Sequence, residues 1–394
     1  MFLKYDTANA ILYNDLGKIE EDLTIDIGNF QRASISVSNK ELQVRVPAFT
    51  LVNIYYYREK NWVTITTDLQ RLVNKDLRTL DGEYIPLSST AYDGVEIFCS
   101  FLMYIFHKDS IELSPIDIMS QNGGLHSNFL NVCSRLSNLM LGKQTVVPLS
   151  GGMDSRVIAF LFRNNTTVSY THGERNCGDI ILARKVARYL ELEHLEFNVE
   201  NLSHEDLNMN IRLSDNFLRG ERLLYKPSDE FCEKEHFVLS GLYGDVIFGK
   251  AKLIDFTNYA ENELKTYSLT EIDKRILECY STFITLDVHA KLLLRCQKLT
   301  RMSLVMNSRG YPVAPWVTNE VISALSIRNI NDTYENFVKS TLPRKLRTII
   351  HQSSQSVFTQ PKFVRLVTKV VFRVLKFPIA RPYFSNKTLN RLDL

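Results

Sequence analysis

The sequence predicts an α/β protein: a parallel sheet flanked by helices, with a β-rich region before it and a helical part after it. Two observations carry this. From residue 145, strand-like and helix-like runs alternate as TVVPLS, SRVIAFLFRNN, TTVSYTHG, DIILARKVARYLEL, HLEFNV and HFVLSGLYGD. Such βαβ series fold as parallel sheets, because parallel neighbours need a crossover and a helix supplies it. Before about residue 85 the texture is instead short and alternating or β-branched, in LTIDIG, ASISVS, LQVRVPAF, LVNIYYY and WVTITT, with polar turns such as NDLGK and YREKN between.

The remaining segments follow in order. From about residue 94, GVEIFCSFLMYIF and SNFLNVCSRLSNLML place apolar residues at helical spacing. After 255 the chain reads as mostly helical to its end. A boundary is expected between 115 and 140, dividing the chain into 1–115, 125–355 and a basic tail, 356–394. In the tail, KFVRLVTKVVFRVLKFPIAR carries bases at Lys362, Arg365, Lys369, Arg373, Lys376 and Arg381 and no acid. The first five form one stripe on a helix. That stripe suits peripheral contact with an anionic membrane or an acidic partner, and equally the solvated face of a helix packed on the preceding domain.

Composition narrows the classes. The chain has 394 residues with 45% hydrophobic content, ample for one large core or two domains of roughly 100–200 residues. A net charge of +3 gives no argument for nucleic acid. The cysteines at 99, 133, 177, 232, 279 and 296 form no CxxC pair, so they are read as free thiols in a reducing compartment. The opening residues lack the basic and apolar regions of a signal peptide, and no run of about 18 uncharged apolar residues occurs. A cytoplasmic protein without a membrane-spanning helix is expected.

The most informative segment is VVPLSGGMDSRVIA, residues 146–159. An apolar strand runs into Ser150-Gly151-Gly152-Met153-Asp154-Ser155 and a helix follows at once. Gly151 and Gly152 let backbone N–H groups approach a phosphate, Ser150 and Ser155 add hydroxyl donors, and the helix N-terminus adds its dipole. Asp154 beside phosphates calls for a cation between them, and Mg²⁺ meets that need. No Gly-Lys-Ser/Thr follows, so this is not a Walker A loop. The SGGxDS string resembles the PP-loop of enzymes that cleave ATP to AMP and pyrophosphate.

Later segments resemble the asparagine synthetase family. TVSYTHGERNCGDIILARKVARYLELEHLEFNV, from Thr167, is similar to that family's second strand, Gly turn, acidic-led helix and third strand; by this resemblance Gly173 and its neighbours hold the adenosine. VLSGLYGDVIFGK, residues 238–250, is similar to SGEGSDExFGG, which implies nucleotide contact at Gly241 and places Asp245 on the family's second Mg²⁺-binding aspartate. LTRMSLVMNSRGYPVAPWVTNEVISAL, from Leu299, and YENFVKSTLPRKL resemble the helical segments that follow. YYYREKNWVTITTDLQRLV looks like the late part of the family's glutaminase domain. The resemblance implies an adenine nucleotide α-hydrolase-like synthetase domain behind a degenerate, truncated glutaminase-like β-rich domain.

The departures also inform. Glutamine-using members expose an N-terminal cysteine nucleophile. Here residue 2 is Phe2 and the first cysteine is Cys99. The family's two acidic positions in SGEGSDE and ExRVP are Leu242 and Gly310. β-Lactam synthetases and lasso-peptide cyclases share such departures. The expected function is thus an ATP-dependent, amide-forming ligase. It would activate a small-molecule or peptide carboxylate as its adenylate for ammonia or an amine, without glutaminase activity. An intramolecular cyclase and a non-catalytic nucleotide-binding relative are the alternatives. An RNA-modifying PP-loop enzyme would want paired cysteines and an RNA-binding module, and neither is evident. Lys339 is the candidate for the leaving pyrophosphate, with Arg344 and Lys345 as rivals; Arg301 and Arg309 are candidate phosphate or carboxylate contacts. Tyr243 is the candidate for the amine step, with packing as its other role. His172 falls just past a strand end, where a ligand would sit.

Overall fold

In the computed structural model, which describes residues 1–15, 17–19, 21–73, 88, 90, 92–116, 124–166, 168–173, 178–198, 235–247, 270–281, 310–324 and 334–349, the chain begins with two antiparallel sheets. Their strands are β1 (Phe2–Asp6), β2 (Ile11–Asn14), β3 (Gly17–Ile19), β4 (Leu23–Asp26), β5 (Arg32–Ser38), β6 (Glu41–Val46), β7 (Tyr55–Glu59), β8 (Trp62–Thr66), β9 (Val95–Ile97), β10 (Leu102–Phe106) and β11 (Ile111–Pro115), with a single helical turn, α1 (Gln70–Val73), after β8. Among the described residues one sheet runs β3-β2-β1-β8-β7-β9 and the other β11-β10-β6-β5-β4. The β5–β6 hairpin closes through Asn39 and Lys40, both at positive φ (51° and 65°). That pair of left-handed residues matches the twist of the strands it joins.

GVEIFCSFLMYIF is not helical. It forms β9 in one sheet and β10 in the other, and the chain crosses between them through Phe101 at φ 59°. Leu102, Tyr104 and Phe106 alternate onto the core from a strand paired on both sides, with β6 and β11. Short apolar runs fit either period, and here cross-strand pairing decides. SNFLNVCSRLSNLML does form a helix, α2 (Leu125–Leu139).

The third sheet is parallel throughout, in the order β14-β13-β12-β15-β16. Its strands are β12 (Thr145–Pro148), β13 (Val168–Gly173), β14 (His194–Asn198), β15 (Phe237–Leu239) and β16 (Tyr311–Val313). Among the described residues the crossover helices are α3 (Met153–Leu161) and α4 (Gly178–Leu190), and the later helices are α5 (Gly244–Ile247), α6 (Glu271–Ser281), α7 (Asn319–Ala324), α8 (Tyr334–Thr341) and α9 (Arg344–Thr348). Winding proceeds outward from β12 in both directions, so the order reverses beside β12. In open sheets of this type the crevice at the carboxyl ends of the strands, at that reversal, is where ligands bind. β16 lies in a stretch expected to be helical; its central residue, Pro312, is tolerated because β16 is the last strand of the described sheet.

One cluster of buried apolar side chains runs from Leu3 and Val44 through Val157 and Trp316 to Leu346, so the antiparallel and parallel sheets share a core. The turn after β4 clasps β16. Asn29 gives Nδ2–H to the Ala314 carbonyl (3.0 Å) and takes the Ala314 N–H on Oδ1 (2.7 Å), while its own N–H donates to the Pro312 carbonyl (3.1 Å). Gly28, Asn29 and Phe30 all have positive φ there. Capping the open edge of a sheet in this way removes a template for unwanted pairing. No helix among the described residues is long and apolar enough to cross a membrane. The basic segment Lys362–Arg381 lies outside the described residues, as do Arg301 and Arg309.

Candidate functional site

A cavity of about 310 Å³ opens at the carboxyl ends of the parallel strands. Three strand ends build it: Pro148–Ser150 at the end of β12, Tyr170–His172 on β13, and Ser240–Tyr243 after β15. Gly152, Asp154, Ser155 and Asp179 complete the lining.

The loop from Ser150 into α3 is held by its own hydroxyls. Ser155 Oγ accepts the Ser150 N–H (3.1 Å) and lies 3.0 Å from Ser150 Oγ, which in turn accepts the Gly152 N–H (3.1 Å). Gly151 N–H donates to Asp179 Oδ1 at 2.9 Å. Asp154 sits in the first turn of α3, where a carboxylate is stabilised by the helix dipole, and it accepts a hydrogen bond from the Tyr334 hydroxyl at the start of α8.

The loop after β15 must pass very close to this one. A Cβ on Gly241 would stand 2.7 Å from Ser155 Cα and 2.8 Å from Ser155 N, and a Cβ on Gly244 would stand 2.7 Å from Asp154 Cγ and Oδ1. Glycine is required at both places because backbone meets backbone or a carboxylate with no room between. Tyr243, between them, is a non-glycine residue at φ 82°, a strained conformation of the kind that clusters at ligand sites. Asp245 follows Gly244 in α5; its side chain lies outside the described part of the structure.

Burial governs the electrostatics. Desolvation raises the Asp179 carboxyl, against the Gly151 N–H and the Arg156 charge, which both lower it. The Arg156 guanidinium falls to about 10, again chiefly through burial, and so remains cationic near neutrality. The lining itself offers carboxylates from Asp154 and Asp179 but no Lys or Arg among the described residues, a charge balance suited to a bound cation.

The sequence candidates divide as follows. Ser150, Gly152, Asp154, Ser155, Gly241 and Tyr243 meet at the cavity, with Gly151 pinned just behind it. Tyr243 is buried with its ring edge-on to Phe49 (5.5 Å). His172 lines the cavity and stacks on Phe197 (5.3 Å), and Gly173 ends the same strand. Lys339 is not brought there: its side chain is 56% exposed and pairs with Glu335 Oε1 at 2.7 Å. Arg344 is exposed, and Lys345 lies over the Tyr189 ring at 6.0 Å. Three residues that the sequence did not single out join the site: Asp179, Tyr334 and Arg156. Only Asp179 left a signal, as the acid leading its helix.

The asparagine synthase family model matches residues 139–301. Similar solved structures include the NH3-dependent NAD synthetase from Campylobacter jejuni subsp. jejuni NCTC 11168 in complex with the nitrate ion, 18% identical, covering 46% of this chain and 96% of that one at a TM-score of 0.24. The NMN synthetase from Francisella tularensis is 13% identical over 58% of this chain and 97% of that one, at a TM-score of 0.22. Glutamine phosphoribosylpyrophosphate amidotransferase from B. subtilis, complexed with ADP and GMP, is 9% identical over 43% of this chain and 58% of that one, at a TM-score of 0.17. At such low TM-scores these likenesses add nothing to the reading of the site. No curated protein matches the sequence. Strands β12 to β15, the loop into α3 and the close-packed turn after β15 all fall within residues 139–301, the segment that the asparagine synthase family model matches.

Proposed function

We propose that the chain is an ATP-dependent ligase joining a carboxylate to ammonia or an amine, with activation of the carboxylate as an acyl-adenylate and no ammonia supply of its own from glutamine. The carrying observation is the contact of Gly244 with the Asp154 carboxylate. It sets the loop bearing Asp154 against the turn bearing Asp245, at the mouth of one cavity.

The donor chemistry fits Mg²⁺. Asp154 supplies hard carboxylate oxygen, and Asp245 is adjacent in the backbone. No cluster of three or more metal-ligating side chains occurs among the described residues, but Mg²⁺ usually takes only one or two carboxylates, with substrate phosphates and water completing its shell. Bound there, Mg²⁺ would neutralise charge on the departing pyrophosphate oxygens.

The chain's own groups then bind and orient. Ser150, Gly152 and Ser155 offer hydroxyl and N–H donors to the phosphates, with Gly151 and Gly241 keeping the two loops close. The strand end at Tyr170–Gly173 faces the nucleoside. A carboxylate oxygen of the substrate attacks the α-phosphorus and pyrophosphate leaves; the amine then attacks the acyl carbon and AMP leaves. The Lys339–Glu335 pair is exposed and worth only about 0.5 kcal/mol, so it holds Lys339 weakly where it stands, outside the cavity lining.

Two features support a carboxylate other than aspartate. Leu242 lines the cavity where the resemblance expects an acid. At Gly310 a Cβ would collide with Val238 and stand 2.7 Å from His236 Nε2, so no acidic side chain fits. The absence of glutamine hydrolysis is supported by the described cysteines: Cys99 and Cys133 are buried and Cys279 is half-buried. Burial raises the Cys133 and Cys279 thiols, away from nucleophilic thiolate.

The test is ATP–pyrophosphate exchange with Mg²⁺ across aspartate, uronic acids and acidic peptides, with Asp154→Ala as control. Exchange with one carboxylate that vanishes in the control supports the reading. Tight ATP binding with no exchange for any carboxylate sinks it.

A further inference from the structure

Gly151 is gripped at both ends of its backbone. Its N–H donates to Asp179 Oδ1 at 2.9 Å, and its carbonyl accepts from Arg156 Nη2 at 2.9 Å. The other terminal nitrogen, Nη1, reaches the carbonyls of Leu346 (2.9 Å) and Ile349 (2.7 Å), at and just after α9. Arg156 is fully buried. Placing a guanidinium there is costly; the three carbonyl acceptors on Nη1 and Nη2 offset part of that cost, while Nε is buried with no hydrogen-bond partner among the described residues.

The geometry determines where the next amide points. In a trans peptide the carbonyl and the following N–H face opposite ways. Drawing the Gly151 carbonyl onto Arg156 therefore turns the Gly152 N–H away from the guanidinium. That N–H meets Ser150 Oγ at 3.1 Å, and both Ser150 and Gly152 line the cavity. Asp179 acts the same way on the preceding peptide: it takes the Gly151 N–H, and the Ser150 carbonyl accepts from Ser155 Oγ (3.3 Å).

We propose that Arg156 is a positioning residue. It holds the Gly151–Gly152 peptide with its N–H turned to Ser150 Oγ, on the phosphate side of the cavity. It also makes the loop's shape depend on the turn at Leu346–Ile349, 190 residues downstream. The inference rests on the reading of this loop as a phosphate site. Lysine cannot replace the residue, because its single ammonium has no planar fork to span Gly151 on one side and Leu346–Ile349 on the other.

The experiment measures Mg²⁺–ATP binding by titration calorimetry, together with hydrogen–deuterium exchange over residues 150–155, for wild type, Arg156→Lys and Arg156→Ala. Both variants are expected to bind ATP about tenfold or more weakly, with faster exchange in the loop, at melting temperatures that still report a folded chain. Millimolar guanidinium, but not sodium chloride at equal ionic strength, is expected to restore both readouts in Arg156→Ala. If that variant does not fold, Arg156→Lys alone decides. Wild-type affinity and wild-type exchange in a folded variant overturn the role of Arg156 and leave the nucleotide reading standing. A wild type that does not bind ATP overturns both.

Discussion

The hydroxyl of Tyr334 donates a hydrogen bond to the carboxylate of Asp154 across 180 residues of sequence. Tyr334 opens α8, which packs on α3, the helix that bears Asp154. A carboxylate that must hold a cation benefits from an outer partner that fixes its orientation, and removing such a partner typically costs about 10–100-fold in metal affinity. Tyr334→Phe is therefore expected to raise the Mg²⁺ concentration needed for half-maximal pyrophosphate exchange by about that factor, while ATP binding in EDTA stays near wild type. An unchanged Mg²⁺ dependence would remove Tyr334 from the site.

Gly241 offers a sharper steric test. Its would-be Cβ meets the main chain of Ser155 and Asp154 rather than a movable side-chain end, so Gly241→Ala should lower stability by about 1–3 kcal/mol or more and abolish exchange. Gly124→Ala is the control. Nothing lies within 4 Å of its Cβ position and its φ is −73°, so denaturant unfolding should move by no more than about 1 kcal/mol. Equal midpoints for the two variants would contradict the close approach of the loops.

At the clasp on β16, Asn29→Ala removes both the donor to the Ala314 carbonyl and the acceptor for its N–H. It also leaves alanine at φ 54°. Together these should cost about 2–4 kcal/mol in urea unfolding. Asn29→Asp keeps the acceptor and tolerates the left-handed backbone, so it should fall between. A loss below about 0.5 kcal/mol for Asn29→Ala would mean that the edge contact is incidental.

Glu96 predicts a pH dependence. Burial, with the nearby Asp273 charge adding to it, raises its carboxyl from 4.5 to about 7, and the hydrogen bond from the Tyr56 hydroxyl only partly opposes this. The native state therefore binds more protons than the unfolded chain between those values. Its contribution to stability is full below about 4.5 and is lost as pH rises through about 7. The bound on this effect is about 3 kcal/mol. Urea unfolding at pH 5, 6, 7 and 8 should show that decline over and above the trend in Glu96→Gln; identical slopes would refute it.

The features legible in sequence are those whose physics is local. Ser150–Ser155 could be read because glycines, hydroxyls and an aspartate at a strand–helix junction meet the needs of one anion site. The alternating strands before residue 85 were legible for the same reason. β9 and β10 were not, because GVEIFCSFLMYIF satisfies helical and strand spacing alike and only strand pairing, of β9 with β7 and of β10 with β6 and β11, decides between them. β16 is three residues long with a proline in its centre, which gives no periodic signal. Arg156 and Tyr334 reach their partners only through the fold, and an arginine in a helix or a tyrosine at a helix start looks like a surface residue until burial is known. Gly310 is read from sequence as a lost acid; the structure adds that Val238 and His236 leave no space for one.

The Asn29–Ala314 clasp also bears on biosynthesis. Its two ends are 285 residues apart, and a ribosome adding about 5–20 residues per second needs roughly 15–60 s to make that interval. The strained turn at Gly28–Phe30 emerges early, and the backbone groups that satisfy it emerge late. During that delay the nascent β-rich region cannot close on its partner edge, and chaperone occupancy should be concentrated on chains stalled before residue 314.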